Sequence, residues 1–403
     1  MLSFHEALEV IGASFLTPLG SEKVLFADAL ERVLAEDILA PKDSPAYPTA
    51  SMDGYAFRLE DLDLLQTQGL LVQGINPANL QEPPMLKPGC SFKTFVGAKM
   101  PIGADALVIV EEVQEQAERI FLIHSSGCSH ESGHYNWIRP VGSQHKKGAV
   151  VLSRGDKITP YSVGALAEHN QVFVQVYKKP RVGILSGGAE IVEVGAPIEG
   201  VRSVNNHMLK AMAKQLGGEG VLYPLLPDKQ ESIEQAICHA FRDCDMVVTT
   251  GGMSKGDFDF TQHAIANVSE IAFKSAKIKP GKPVAYSIHA KDGTHKPLLA
   301  LPGNPPAAAL TFYLFGTAIF AKLFNIPYAP PFIQAILEDD FNKHEERMEF
   351  LACFVRLKEG RYFASLRPKA HLYDTQSALL VLEEGARHYK KGESLALLLH
   401  HIF

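Results

Sequence analysis

Between residues 182 and 324 the chain alternates short apolar runs with longer amphipathic ones, and this alternation narrows its fold more than any other feature. Residues 182–185, 220–223, 246–249 and 298–301 read as strands. Residues 206–216, 229–242, 260–268 and 306–324 read as the helices that follow them. Buried parallel strands need apolar side chains on both faces, and each needs a crossover before the next, so the pattern predicts an α/β sheet with helices on both faces. At 403 residues the chain exceeds a single ordinary core, and about two to four domains are expected.

The expected strands end in turns that bear on chemistry. The run Met246-Val-Val-Thr-Thr-Gly-Gly-Met-Ser-Lys-Gly-Asp-Phe-Asp-Phe passes from a strand into Gly251-Gly252 and then reaches Asp257 and Asp259. A strand ending in glycines leaves bare backbone N–H groups at the carboxyl edge of a sheet, where phosphates bind. Carboxylates just beyond such a nest suit Mg²⁺ held against phosphate oxygens. No Gly-Lys-Ser/Thr follows, so the loop is not of Walker A type, and it is not G-x-G-x-x-G either. Ser186-Gly-Gly, Leu226-Pro-Asp228 and Leu301-Pro302-Gly303-Asn304-Pro305 close the other expected strands. In a doubly wound sheet all four turns share one edge; singly, each is ordinary turn chemistry.

Outside these turns, Lys279 and Lys282 flank a Pro-Gly turn stiffened by prolines, which suits a small oxyanion as well as a solvated surface loop. Asp53, in Ser51-Met-Asp-Gly-Tyr-Ala, either reaches a metal or substrate or belongs to an Asp-Gly hairpin turn. His124, Cys128, His130 and His134 lie close together, but their spacing matches no standard zinc pattern.

Residues 51–177 are expected to be mostly β, with one helix near 161–169. Ser3 opens an N-terminal helix, 26–36 reads as a second helix, and 332–403 again looks β-rich. The expected division is 1–177, 178–326 and 327–403, with Lys178-Lys-Pro-Arg and 327–331 as linkers. The net charge of −6 gives no support for nucleic acid as the main partner. Five scattered cysteines fit a reduced, cytoplasmic setting. The apolar stretch 307–324 carries Thr, Tyr, Gly and Lys and reads as a buried helix, so no membrane association is expected, and no secretory leader is evident at the start.

Taken in order, the motifs resemble those of the molybdopterin molybdenumtransferase family (bacterial MoeA and the gephyrin E domain) over nearly the whole chain. Glu31-Arg-Val-Leu-Ala-Glu-Asp-Ile, Ser51-Met-Asp-Gly-Tyr-Ala and the block 97–111 are similar to its N-terminal signatures. Thr249–Asp259, Lys279-Pro-Gly-Lys-Pro and Leu301-Pro-Gly-Asn-Pro are similar to its molybdopterin-binding core. The resemblance implies a multidomain α/β plus β protein. It would have a central MogA-like α/β domain, a β-rich N-terminal region of two subdomains that dimerises, and a small C-terminal β-barrel-like domain. It implies insertion of molybdate into adenylylated molybdopterin with release of AMP, assisted by Mg²⁺.

The roles it implies fall on particular residues. Asp228, Asp257 and Asp259 would hold or neighbour Mg²⁺, and Asp53 would reach across a homodimer interface. Thr250, Gly251, Gly252 and Ser254 would cradle phosphate, and Glu190 would contact substrate. Lys279 and Lys282 would receive molybdate. Pro302, Gly303, Asn304 and Pro305 would shape the pterin pocket. A molybdopterin-adenylylating protein is the implied substrate donor. Several family polar positions are replaced, among them Ser143, Gln144, Ala189, Ser203 and Ala307. That pattern leaves a second expectation open, a catalytically impaired relative acting as a pterin-binding or scaffold protein.

Overall fold

The computed structural model describes residues 1–123, 135–188, 190–251, 260–366 and 377–399. They form two compact units. One comprises Met1–Ala35, Gly155–Thr159 and Phe173–Phe403; the other comprises Glu36–Arg154 and Pro160–Val172.

In the first unit a six-stranded sheet runs in the order Glu219–Leu222, Arg181–Ser186, Met246–Thr250, Thr294–Leu301, Ala285–Lys291, Glu270–Phe273. The first four strands are mutually parallel, as expected from the alternation, and Ala285–Lys291 is antiparallel to its neighbours on both sides. Every residue of Met246–Thr250 is buried, as a central strand covered on both faces requires. Its period-2 alternation divides the core. Met246 and Val248 join Val182, Ile184, Leu209, Ala308 and Leu301 on one face. Val247 joins Leu185, Ile233, Ile237, Ala264 and Leu298 on the other.

Helices Val204–Gln215, Gln230–Asp243 and Phe260–Val268 follow their strands as expected. The segment 305–323 is helical throughout, but it passes through a π turn at Phe312–Gly316 between Pro305–Thr311 and Thr317–Leu323. It is the only helix among the described residues long and apolar enough to cross a membrane, and most of it is buried against the sheet and the N-terminal helix.

That N-terminal helix, Phe4–Ala13, starts at Ser3 with a capping box. The Ser3 hydroxyl accepts from Glu6 N at 3.2 Å, and Ser3 N donates to the Glu6 carboxylate at 2.7 Å. Phe4, Ala7 and Ile11 recur on one face and are fully buried. The Phe4 ring lies 6.0, 6.1 and 5.8 Å from those of Phe315, Phe332 and Phe350. The helix expected over 26–36 does not form; only the single 3-10 turn Phe26–Asp28 does. Glu31 has a φ of 64°, which ends any helix there. The N–H groups of Glu31, Leu34 and Ala35 donate instead to carbonyls of Ile158, Asp156 and Gln175, so tertiary pairing overrides the local helical pattern.

The C-terminal strands close on themselves. Met348–Lys358 pairs with Arg361–Ser365, which pairs with Phe332–Leu337, then Ser394–Leu398, then Ser377–Leu382, which returns to Met348–Lys358. Five strands thus make a closed barrel around Ala335, Leu337, Cys353, Ala364, Leu380 and Leu397. Ile278–Lys279 adds to the outside of Met348–Lys358 in parallel, pairing Lys279 with Glu349.

The second unit is the expected β-rich region. Its six-stranded sheet has the order Ala106–Ile109, Gly54–Phe57, Cys90–Thr94, Leu70–Asn76, Arg119–Leu122, Val113–Gln116. The expected helix appears as Pro160–Glu168, together with a short helix Leu62–Thr67. Tyr55, Phe57, Leu70, Val108 and Ile120 fill its core.

Candidate functional site at the sheet edge

The carboxyl ends of Arg181–Ser186, Met246–Thr250 and Thr294–Leu301 lie side by side, as the parallel registers Ser186↔Thr250 and Thr250↔Leu301 require. Two cavities open there and share Ser186, Gly187 and Thr250. The smaller also has Leu226, Asp228, Ile233, Thr249 and Phe260 in its wall. The larger, about 210 Å³, is bounded by Glu190, Ser203, Asn205, Gly251, Gly303 and Pro305 among others. The edge of the sheet therefore carries one cavity toward the Gln230–Asp243 side and one toward the Val204–Gln215 side.

A short hydrogen-bond chain fixes this edge. Asn205 Nδ2 donates to Thr250 Oγ1 at 2.7 Å and to Gly303 O at 2.9 Å, and Thr250 Oγ1 donates to Pro302 O at 3.1 Å. It ties the start of Val204–Gln215 to one strand end and to the turn after another. Gly251 follows with a φ of 92°, which other residues rarely adopt. A Cβ on Gly303 would lie only 3.5 Å from Gly251 Cα, so the two turns touch through bare backbone. Asn304 caps the helix beginning at Pro305, its Oδ1 accepting from Ala307 N at 3.4 Å.

Polar atoms at this edge are left open. Among the described residues, Ser186 Oγ, Thr249 Oγ1, Ser203 Oγ, Asn205 Oδ1 and both polar atoms of the Asn206 amide are buried without a hydrogen-bond partner. Ser186 and Thr249 border the smaller cavity, and Ser203 and Asn205 the larger. Buried polar groups are normally paired, so a cluster of orphans beside a cavity is a signature of ligand-facing atoms. Ser186, Ser203, Asn205, Asn206 and Thr249 lay outside the sequence-based candidates. Hydroxyls at strand ends leading into glycine turns were the one local signal for Ser186 and Thr249.

Of the sequence candidates, Glu190, Thr250, Gly251, Gly303 and Pro305 bound the larger cavity, with Pro302 and Asn304 in the adjoining turn, and Asp228 bounds the smaller. Asp228 does not take the N-cap of the next helix, which falls on Lys229. Gly252, Ser254, Asp257 and Asp259 lie outside the described residues, as do His124, Cys128, His130 and His134. Among the described residues no three His, Cys, Asp or Glu side chains gather in a metal-binding group. Asp53 lies in the second unit, where one carboxylate oxygen accepts from Val96 N at 2.7 Å while the side chain remains exposed.

The lysine turn adjoins a different set of charges. Lys279 Nζ lies 2.9 Å from Glu349 Oε1 and 3.9 Å from Glu345 Oε2. Arg347 grips Glu345 through two hydrogen bonds, Nε to Oε1 at 2.9 Å and Nη2 to Oε2 at 2.7 Å, and its Nη1 donates to Ile278 O at 3.2 Å. The Arg347 guanidinium brings the Glu345 carboxyl down to about 2. Lys282 is exposed and has no carboxylate in ion-pair range among the described residues. Gly281, with a φ of 111°, packs where a Cβ would meet the Thr311 methyl at 2.4 Å. Thr311 lies about 10 Å along the helix axis from Asn304, at roughly 1.5 Å per residue. The lysine turn is thus seated on the helix whose N-terminus enters the edge site.

Comparison with known proteins agrees with this architecture. Residues 2–169 match the family model described as MoeA N-terminal region (domain I and II), and residues 183–322 match that described as probable molybdopterin binding domain. The chain is 30% identical over 407 residues to the molybdopterin molybdenumtransferase of Haemophilus influenzae, covering 98% of each. It is 30% identical to that of Bacillus subtilis, covering 94% of this chain and 90% of the relative. The crystal structure of the molybdopterin biosynthesis MoeA protein from Pyrococcus horikoshii OT3 superimposes with a TM-score of 0.80 at 26% identity, covering 99% of this chain and 100% of that one. With its motifs, domains and full-length relatives in agreement, the chain belongs to the molybdopterin molybdenumtransferase (MoeA) family.

Proposed function

We propose that this chain is an enzyme of molybdenum cofactor biosynthesis that inserts molybdate into adenylylated molybdopterin and releases AMP. The observation that carries the reading is the pair of cavities sharing Ser186, Gly187 and Thr250 at the carboxyl edge. It occurs in a chain that aligns over 98% and 94% of its length with two proteins named molybdopterin molybdenumtransferase. An adenylylated pterin has two ring systems joined through phosphates. Two cavities meeting at glycine backbone suit such a ligand, and the orphaned Ser and Asn groups supply hydrogen bonds for ring edges and phosphate oxygens.

Cleavage adds water across the P–O–P bridge. One phosphorus gains the water oxygen and the other keeps the bridging oxygen, so AMP and the pterin phosphate separate. The dithiolene sulfurs replace oxygens of molybdate, which take up protons and depart as water. Positioning by Thr250, Gly251 and Asn205 and charge from Lys279 and Lys282 are what this chain contributes to bringing the two substrates together.

The donors around the smaller cavity are hard oxygens. Ser186 Oγ and Thr249 Oγ1 lack partners among the described residues, and Asp228 stands beside them. That chemistry fits Mg²⁺, which prefers few protein oxygens and substrate phosphates. Asp228, with Asp257 and Asp259, would hold the ion, and when bound it supplies positive charge at the phosphate oxygens. Gly252 and Ser254 complete the phosphate cradle in this reading. A homodimer in which Asp53 serves the neighbouring copy, and delivery of substrate by a molybdopterin-adenylylating protein in the cytoplasm, belong to the same proposal. The exposure of Asp53 and the scattered cysteines support it. Purified chain given adenylylated molybdopterin, Mg²⁺ and molybdate should release AMP. No release under conditions where a family relative turns over would overturn the reading.

A further inference from the structure

Lys279 and Arg347 present two cations at one place, and two carboxylates already occupy them. Glu349 is almost wholly buried and bonds Lys279 at 2.9 Å. Glu345 takes the planar fork of Arg347 with both oxygens and stands 3.9 Å from Lys279. Its backbone is pinned, because the buried Lys343 ammonium donates to Glu345 O and to Gly385 O. These two positive and two negative groups sum to no net charge, so of the cations assigned to the oxyanion only the exposed Lys282 is left without a carboxylate in ion-pair range among the described residues.

The geometry of Glu345 is that of an anion already bound. A carboxylate and a tetrahedral oxyanion each offer a guanidinium two oxygens at similar spacing, and Arg pairs with both in the same bidentate way. The Glu345 and Lys279 side chains are 21% and 46% exposed, so the pair can be reached from solvent and the carboxylate can swing away without unpacking a core. Glu349 can remain beside Lys279 when this happens.

We propose that Glu345 is an internal competitor for the oxyanion at the Lys279 subsite. Its carboxylate fills the place between Arg347 and Lys279, and an incoming oxyanion must displace it, so Glu345 sets the affinity. The proposal rests on the reading that Lys279 receives the molybdate dianion, and it adds Arg347 to the groups released for that dianion.

The test is molybdate binding to the full chain by isothermal titration calorimetry, for wild type, E345Q, E345A and K279A, with circular dichroism to verify folding. E345Q keeps the shape and removes the charge. E345A empties the place. If Glu345 competes, both bind molybdate about tenfold tighter or more, the scale of one hydrogen bond to a charged group, and adding K279A to either abolishes the gain. If E345Q and E345A bind equally or more weakly while K279A still weakens the wild type, Glu345 positions Arg347 and the proposal is overturned. If K279A leaves wild-type binding unchanged, the lysine reading itself fails, and the proposal with it. Absence of measurable binding in wild type and every variant likewise counts against both.

Discussion

Asn205 is where the edge site can be tested most directly. Its amide nitrogen makes two hydrogen bonds, to Thr250 Oγ1 and to Gly303 O, and each neutral hydrogen bond is worth about 0.5–1.5 kcal/mol net. Asn205→Ala should therefore cost about 1–3 kcal/mol of stability. Asn205→Asp is nearly isosteric, but it sets a carboxylate oxygen against Gly303 O, which cannot donate, so it should cost at least as much. The functional loss should exceed what stability alone dictates, because Thr250, Gly251 and Gly303 are positioned through this amide, and a displacement of about 1 Å at a reacting centre costs on the order of a hundredfold. Urea unfolding followed by far-ultraviolet circular dichroism gives the first quantity, and AMP release below saturation gives the second. A Thr250→Val partner completes a double-mutant cycle, in which the shared bond should appear as a coupling of about 0.5–1.5 kcal/mol. If Asn205→Ala and Asn205→Asp leave both stability and AMP release unchanged, the chain of hydrogen bonds is not what holds the edge.

Ser186→Ala removes a buried hydroxyl that has no partner among the described residues; thermal melts should move little or upward, while affinity for AMP measured by calorimetry should fall. Phe4→Ala empties a place among Phe315, Phe332 and Phe350 and should cost about 3–5 kcal/mol in denaturant unfolding. Glu345 has a folded-state pKa of about 2 against an ordinary 4.5, brought down by Arg347. A depressed carboxyl stabilises above its unfolded pKa and loses that contribution as pH falls through its folded value. The stability difference between wild type and E345Q should therefore be flat from neutral pH to about 5 and shrink on further acidification toward 2; a difference that changes between pH 7 and 5 would contradict the pairing.

The parallel core was legible because its chemistry is local. Met246–Thr250 is buried on both faces and reads as an apolar, β-branched run ending in two threonines, and the amphipathic helices between strands carry their own period. The hairpin of Ala285–Lys291 and Thr294–Leu301 was only half visible. The polar start of its second strand and Pro297 both argue against a strand. Pro297 is tolerated because pairing with Met246–Thr250 begins only at Leu298, leaving that side of the proline without a strand partner. Barrel closure was legible only through the family resemblance and not from local pattern: Phe332–Leu337 pairs in parallel with Arg361–Ser365, a long-range choice that no short window encodes. The failed helix at 26–36 had a plausible pattern, and its N–H groups simply found better partners far along the chain.

At the site, residue type was readable and company was not. Lys279 announces itself beside a Pro-Gly turn, yet the groups that decide its availability, Glu345, Arg347 and Glu349, arrive almost seventy residues later by way of a strand added to the barrel. The orphaned hydroxyls and amides at the sheet edge are neutral and unengaged, so a ligand there displaces only water. Lys279 and Arg347 are both paired, so a ligand that takes them must first break an ion pair. Under the proposed function the two substrates therefore meet different costs on one chain. The pterin face is ready before binding. With Glu345 as the proposed competitor, the oxyanion face is closed by the protein's own carboxylate, which makes oxyanion capture the costlier of the two events.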